Sequence, residues 1–68
     1  MRISARNVLR GTVVEVKRGA TTAHVRIDVG GSVVTAAITN EAVDELGLRE
    51  GMQASAVVKA SDVMVAVD

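Results

Sequence analysis

The sequence predicts an all-β fold, a five-stranded barrel with one short helix between its third and fourth strands, and three observations carry that prediction. β-Branched and polar residues alternate along most of the chain, the period of two that a half-buried strand shows. Turn signals built on glycine separate these runs. A single segment, between the third and fourth runs, has the capping and charge pattern of a helix instead.

The elements follow in order. From Leu9 to Arg18, Thr12, Val13, Val14 and Val16 interleave with Glu15 and Lys17, which reads as a strand with a buried stretch at Val13-Val14. Lys17 to Thr22 is a turn around Gly19. Ala23 to Val29 alternates strictly, with Ala23, Val25, Ile27 and Val29 on one face and His24, Arg26 and Asp28 on the other. Gly30-Gly31 supplies the positive φ of a primed hairpin turn. A third strand then runs to about Thr39 with Val34, Ala36 and Ile38 on one face.

Thr39-Asn40 offers an N-cap to a helix of about two turns, with Glu41 at its positive end, Val43 and Leu46 facing the sheet, and Gly47 as its C-terminal cap. Glu50-Gly51 turns the chain into a fourth strand, Met52 to Lys59, whose Met52, Ala54, Ala56 and Val58 share a face. Val63 to Val67 reads as the fifth. No charge falls between Met52 and Val58 or between Val63 and Val67. A sheet face in water normally carries some, so both strands are expected to bury a second face in an oligomer interface. Met52 and Met64 are read as core filler. Three strands, a short helix and two strands is the element order of an OB-type barrel.

Composition points to the same need for a partner. The chain has 68 residues, enough for one domain, 1–68. A domain this short buries only roughly 60% of its unfolded surface and leans on a disulfide, a metal or another chain. There is no cysteine and one histidine, His24, which leaves the other chain. The apolar share is 49%, yet Phe, Tyr and Trp are absent, so valine and alanine form a thin core. Eight basic residues balance eight acidic ones. No apolar run approaches the ~20 residues of a membrane span, and the N-terminus lacks a signal-peptide core, so a cytoplasmic protein is expected.

Two polar clusters interrupt the apolar pattern, Ser4-Ala5-Arg6-Asn7 before the first strand and Lys59-Ala60-Ser61-Asp62 after the fourth. Both offer donors suited to an oxyanion: hydroxyls, cationic nitrogens, and backbone N–H groups beside small residues. They are expected to meet across a subunit boundary and hold a small tetrahedral anion.

The two clusters, together with Leu9 and Gly11 and with Asp44-Glu45-Leu46-Gly47-Leu48 before Glu50-Gly51, resemble the molbindins over essentially the whole chain. Molbindins are small stand-alone molybdate-binding proteins of the TOBE (molybdopterin-binding-like, Mop) type. The resemblance implies an OB fold, a homohexamer built as a trimer of dimers with strands exchanged or shared between neighbours, and oxyanion sites at subunit interfaces. It implies that Ser4 and Arg6 of one subunit and Lys59 and Ser61 of another bind molybdate or tungstate, with Ala5 and Ala60 donating backbone N–H. It implies a second class of site near a threefold axis that relies more on backbone donors; the resemblance does not place it, and the turn after the first strand, Gly19, Ala20, Thr21 and Thr22, is taken here as its candidate position. Storage or homeostasis of the anion, with no organic cofactor, is the function implied.

Molybdate near neutral pH is a dianion with acceptors only, so its site should present donors only. Asp62 must therefore point away, toward backbone N–H groups at the start of the last strand. Arg6 has a second reading, as a brace bonding Asp44 or Glu45 of a neighbour. Ser4 and Ser61 have one as turn-formers, and Lys59 as an edge charge against aggregation. Asn7 is assigned to fixing its own turn, and His24, Arg26 and Arg49 to the exposed surface. The alternative function, an OB-fold nucleic-acid-binding module, needs stacking aromatics and a basic groove, which the composition lacks. An enzyme is not expected, since no carboxylate pair, Cys/His/Asp constellation or phosphate loop is present. Nor does the chain carry the DNA-binding or ATP-hydrolysing domain of a regulator or transporter, and it is expected to be complete.

Overall fold

A long central strand organises the molecule, whose computed structural model describes all 68 residues, Met1–Asp68. The elements are β1 (Asn7–Arg18), β2 (Thr22–Asp28), β3 (Val33–Thr39), α1 (Asn40–Leu46), β4 (Gln53–Val58) and a 3₁₀ turn at Ala60–Asp62. The strands form one curled antiparallel sheet in the order β3-β2-β1-β4.

β1 reaches two partners because its halves serve different neighbours. Asn7 to Thr12 pairs with β4, and Thr12 to Arg18 with β2. At the changeover Gly11 has no substitute, since a Cβ there would overlap the Asp28 carbonyl oxygen and lie 2.8 Å from Ile27 Cγ2. The register then shifts between Val13 and Glu15. This bulge corrects the expectation that Val13 and Val14 are buried together: Val13 is 1% exposed, but Val14 is turned outward at 44%.

β2 alternates as its sequence predicts, with Ala23, Val25 and Ile27 buried and His24, Arg26 and Asp28 exposed. Both glycines of the following hairpin have positive φ, 97° and 99°, and the Asp28 carboxylate accepts from their N–H groups. Thr39 Oγ1 accepts from the Ala42 N–H at 3.0 Å and caps α1, and Gly47 ends it at φ 63°. Val43 packs into the core. Leu46, the last residue of α1, does not join it and stands 64% exposed at the side of the sheet's open groove.

The largest correction concerns the fifth strand. β4 ends at Val58, and Val63 to Val67 forms no strand. Met64, read as core filler, is 94% exposed, and Val65 and Val67 are 89% and 93% exposed. A strand is defined by its neighbour, and within one chain this segment has none. The fold is consequently a curled sheet of four strands, open along one side, in place of the expected five-stranded barrel. An apolar groove of about 600 Å³ lies there, lined by Val25, Ile27, Val34, Ile38, Met52 and Ala54 among others. Only six residues are buried, Val13, Ala23, Val25, Ile27, Val43 and Ala56, so one chain closes a very thin core. No helix is long and apolar enough to cross a membrane.

Candidate anion-binding site

The two polar clusters leave the sheet side by side. Asn7 at the start of β1 is the register partner of Val58 at the end of β4. The segment Ser4–Arg6 therefore precedes one strand end, and Lys59–Asp62 follows the adjacent one. The sequence reading had the clusters meeting through a second copy. The structure already places their strands next to each other in a single chain, because β4 pairs directly with the first half of β1 at one edge of the sheet.

The donors at this end are free within the chain. Ser4, Arg6, Lys59 and Ser61 are exposed, and none of their side chains has a hydrogen bond or ion pair. Ala5 is half-buried and Ala60 exposed. The 3₁₀ turn is closed by the Asp62 N–H donating to the Lys59 carbonyl at 2.9 Å and the Val63 N–H to the Ala60 carbonyl at 3.2 Å. The Asp62 carboxylate, expected to accept backbone N–H groups, takes none and is exposed. Asp44, a candidate partner for Arg6, is paired with Arg18 of its own chain.

Asn7 departs from its expected part. Its Nδ2 donates to the Val58 carbonyl at 3.1 Å, across strands and not within its own turn. Sequence reasoning missed this because the β1–β4 register, which joins residues 51 apart, is a property of the folded sheet.

The turn Gly19–Thr22 sits at the opposite end of β1. The Gly19 N–H donates to the Thr22 carbonyl at 2.7 Å. Asn40 fastens the turn to α1, its N–H donating to the Thr21 carbonyl at 2.9 Å and its Nδ2 to the Gly19 carbonyl at 3.0 Å. A shallow polar pocket of about 270 Å³ opens beside it, lined by Lys17, Arg18, Gly19, Thr22 and His24. Ala20 and Thr21 are not among its walls. Lys17 and His24 are register partners. That was available in principle from the alternation, which puts both on the outer face at the end of one hairpin. No group of three or more His, Cys, Asp or Glu is placed to hold a metal ion.

The family model of the TOBE domain matches residues 3–65, which take in the whole curled sheet and both donor-bearing segments. The chain belongs to the TOBE family. Within it the chain stands with the small molybdenum-pterin-binding (Mop) proteins. Molybdenum-pterin-binding protein 2 of Clostridium pasteurianum is 48% identical over 66 residues, covering 96% of this chain and 97% of that one. A molybdate-binding protein from Sporomusa ovata superposes with a TM-score of 0.94 at 39% identity, covering 98% of this chain and 100% of that one. The cytoplasmic molybdate-binding protein ModG, with molybdate bound, superposes at 0.89 with 49% identity over 94% of this chain, which spans 46% of ModG.

Proposed function

We propose that this protein binds molybdate, and tungstate with it, as a cytoplasmic store that keeps the free anion in balance, and that it performs no catalysis. The observation that carries the reading is that two arms, Ser4-Ala5-Arg6 and Lys59-Ala60-Ser61, leave the sheet from paired strand ends with their hydroxyl and cationic groups unpaired in the chain. A tetrahedral dianion needs donors from several directions, and charge-assisted hydrogen bonds from Lys59 and Arg6 offset the cost of taking it from water. Kinship with Mop proteins and with ModG supports the choice of anion and the cytoplasmic setting. The chain has no Phe, Tyr or Trp on which a pterin ring could stack, which favours the bare oxyanion over an organic cofactor.

The same proposal includes an assembly. Val63 to Val67 of one copy completes the groove of another as the fifth strand of an OB barrel, and the pairs gather as a trimer of dimers. The exposed tail and the open apolar groove support it, since each is costly in water and each fits the other's chemistry. The Lys59-Ala60-Ser61 arm runs directly into that tail, so the main anion site lies where copies meet. We place a second, weaker anion site at the Gly19–Thr22 turn, with Lys17, Arg18 and His24 beside it.

Equilibrium dialysis against molybdate, tungstate and sulfate tests the reading. Retention of molybdate and tungstate at about micromolar free anion or below supports it. An assembled protein that retains neither refutes it.

A further inference from the structure

The hydrogen bond from Asn7 Nδ2 to the Val58 carbonyl does more than extend the β1–β4 ladder. Asn7 directly follows Arg6, and Val58 directly precedes Lys59. The bond therefore ties together the two residues from which the donor arms spring, at the last register pair before those arms part. We propose that Asn7 is a positioning residue of the anion site, a latch that sets the direction in which the Lys59 arm leaves the sheet. This rests on the reading of that site given above.

The geometry behind it is simple. The peptide unit joining Val58 to Lys59 is planar, so holding its oxygen also holds the Lys59 nitrogen in a fixed plane. Beyond that plane, Lys59 begins the 3₁₀ turn that carries Ala60 and Ser61. Without the side-chain bond the backbone ladder alone would hold this last pair, leaving the peptide unit freer to swing and to carry all three with it. The latch residue also has to be a donor without charge. An Asp at position 7 would set an acceptor against the Val58 carbonyl and a negative charge beside the anion. A lysine or arginine would compete for the oxyanion. A part-buried amide meets both conditions.

Groups that hold ligand-bearing residues from behind commonly change affinity by about tenfold or more when removed. Asn7→Leu keeps the size of the side chain and deletes the donor. Asn7→Gln keeps the donor on a longer stem. Molybdate binding by dialysis on the assembled wild-type protein, Asn7→Leu, Asn7→Gln, Lys59→Ala and the Asn7→Leu/Lys59→Ala double variant is the experiment. The mass of each assembly and its thermal melt are recorded alongside.

The expected result is about a tenfold loss for Asn7→Leu with assembly mass unchanged, recovery of most affinity in Asn7→Gln, and a clearly smaller further loss when Asn7→Leu is added to Lys59→Ala. A latch acting through the Lys59 arm has less left to position once that side chain is gone, only the Ala60 N–H and Ser61. Wild-type affinity in Asn7→Leu overturns the proposal, as does an equal loss in both backgrounds. Should the wild type bind no molybdate, the site reading fails by itself. Amide exchange at residues 59–63 then decides the latch, which stands if Asn7→Leu accelerates exchange there and falls if it does not.

Discussion

Lys59 and Ser4 are the single side chains on which the proposed anion site most depends. Each ends in donors that no group in the chain occupies, so removing one subtracts from binding without breaking an existing contact. A hydrogen bond to a charged partner contributes about 1.5–3 kcal/mol. Lys59→Ala and Ser4→Ala are accordingly expected to weaken molybdate binding by about tenfold to a hundredfold, read by equilibrium dialysis, with the thermal melt unchanged. His24→Ala should leave the main site untouched, because His24 stands at the other end of β1. Val43 is the contrasting case, a fully buried residue of a six-member core. Val43→Ala should cost about 2 kcal/mol of stability, measured by urea unfolding, since it opens a cavity the short helix cannot collapse.

At the scale of elements, β1 bears most of the fold's demands. It must serve β4 with one half and β2 with the other, which requires a close approach at Gly11 and a bulge at Val14. Gly11→Ala forces the Asp28 backbone away and should destabilise the chain by about 2 kcal/mol or more, or prevent its accumulation; chemical denaturation measures which. The helix is held by local chemistry at both ends, with Thr39 at its start and Gly47 at its close. Its ion pair, Arg18 with Asp44, adds little by comparison, as both side chains are well exposed.

The whole molecule, taken as one chain, is unfinished. Its core has six members, its groove is open, and its last six residues are all exposed, Val63 by half and Met64, Val65 and Val67 almost wholly. Deleting residues 63–68 should therefore lower the mass of the assembly seen by light scattering, and the melting temperature of the intact protein should rise with its concentration. A mixing experiment tests how the copies share their sites. If each site takes Ser4 from one chain and Lys59 from another, co-assembled Ser4→Ala and Lys59→Ala subunits regain a fraction of full-affinity sites. If both arms of a site belong to one chain, the mixture regains none.

The sequence by itself determined whatever depends on neighbours along the chain. The alternation of Ala23 to Ile27, the double-glycine hairpin, the caps at Thr39 and Gly47, and the two donor-bearing clusters are all local patterns, and each has a local physical cause. The tertiary structure decided the rest, because it depends on register. Register set Asn7 against Val58 and so brought the clusters side by side, turned Val14 outward through a bulge, and placed Lys17 opposite His24. It also left Val63 to Val67 without a partner, for a strand's period can be read from its residues whereas the edge it pairs with belongs to the fold.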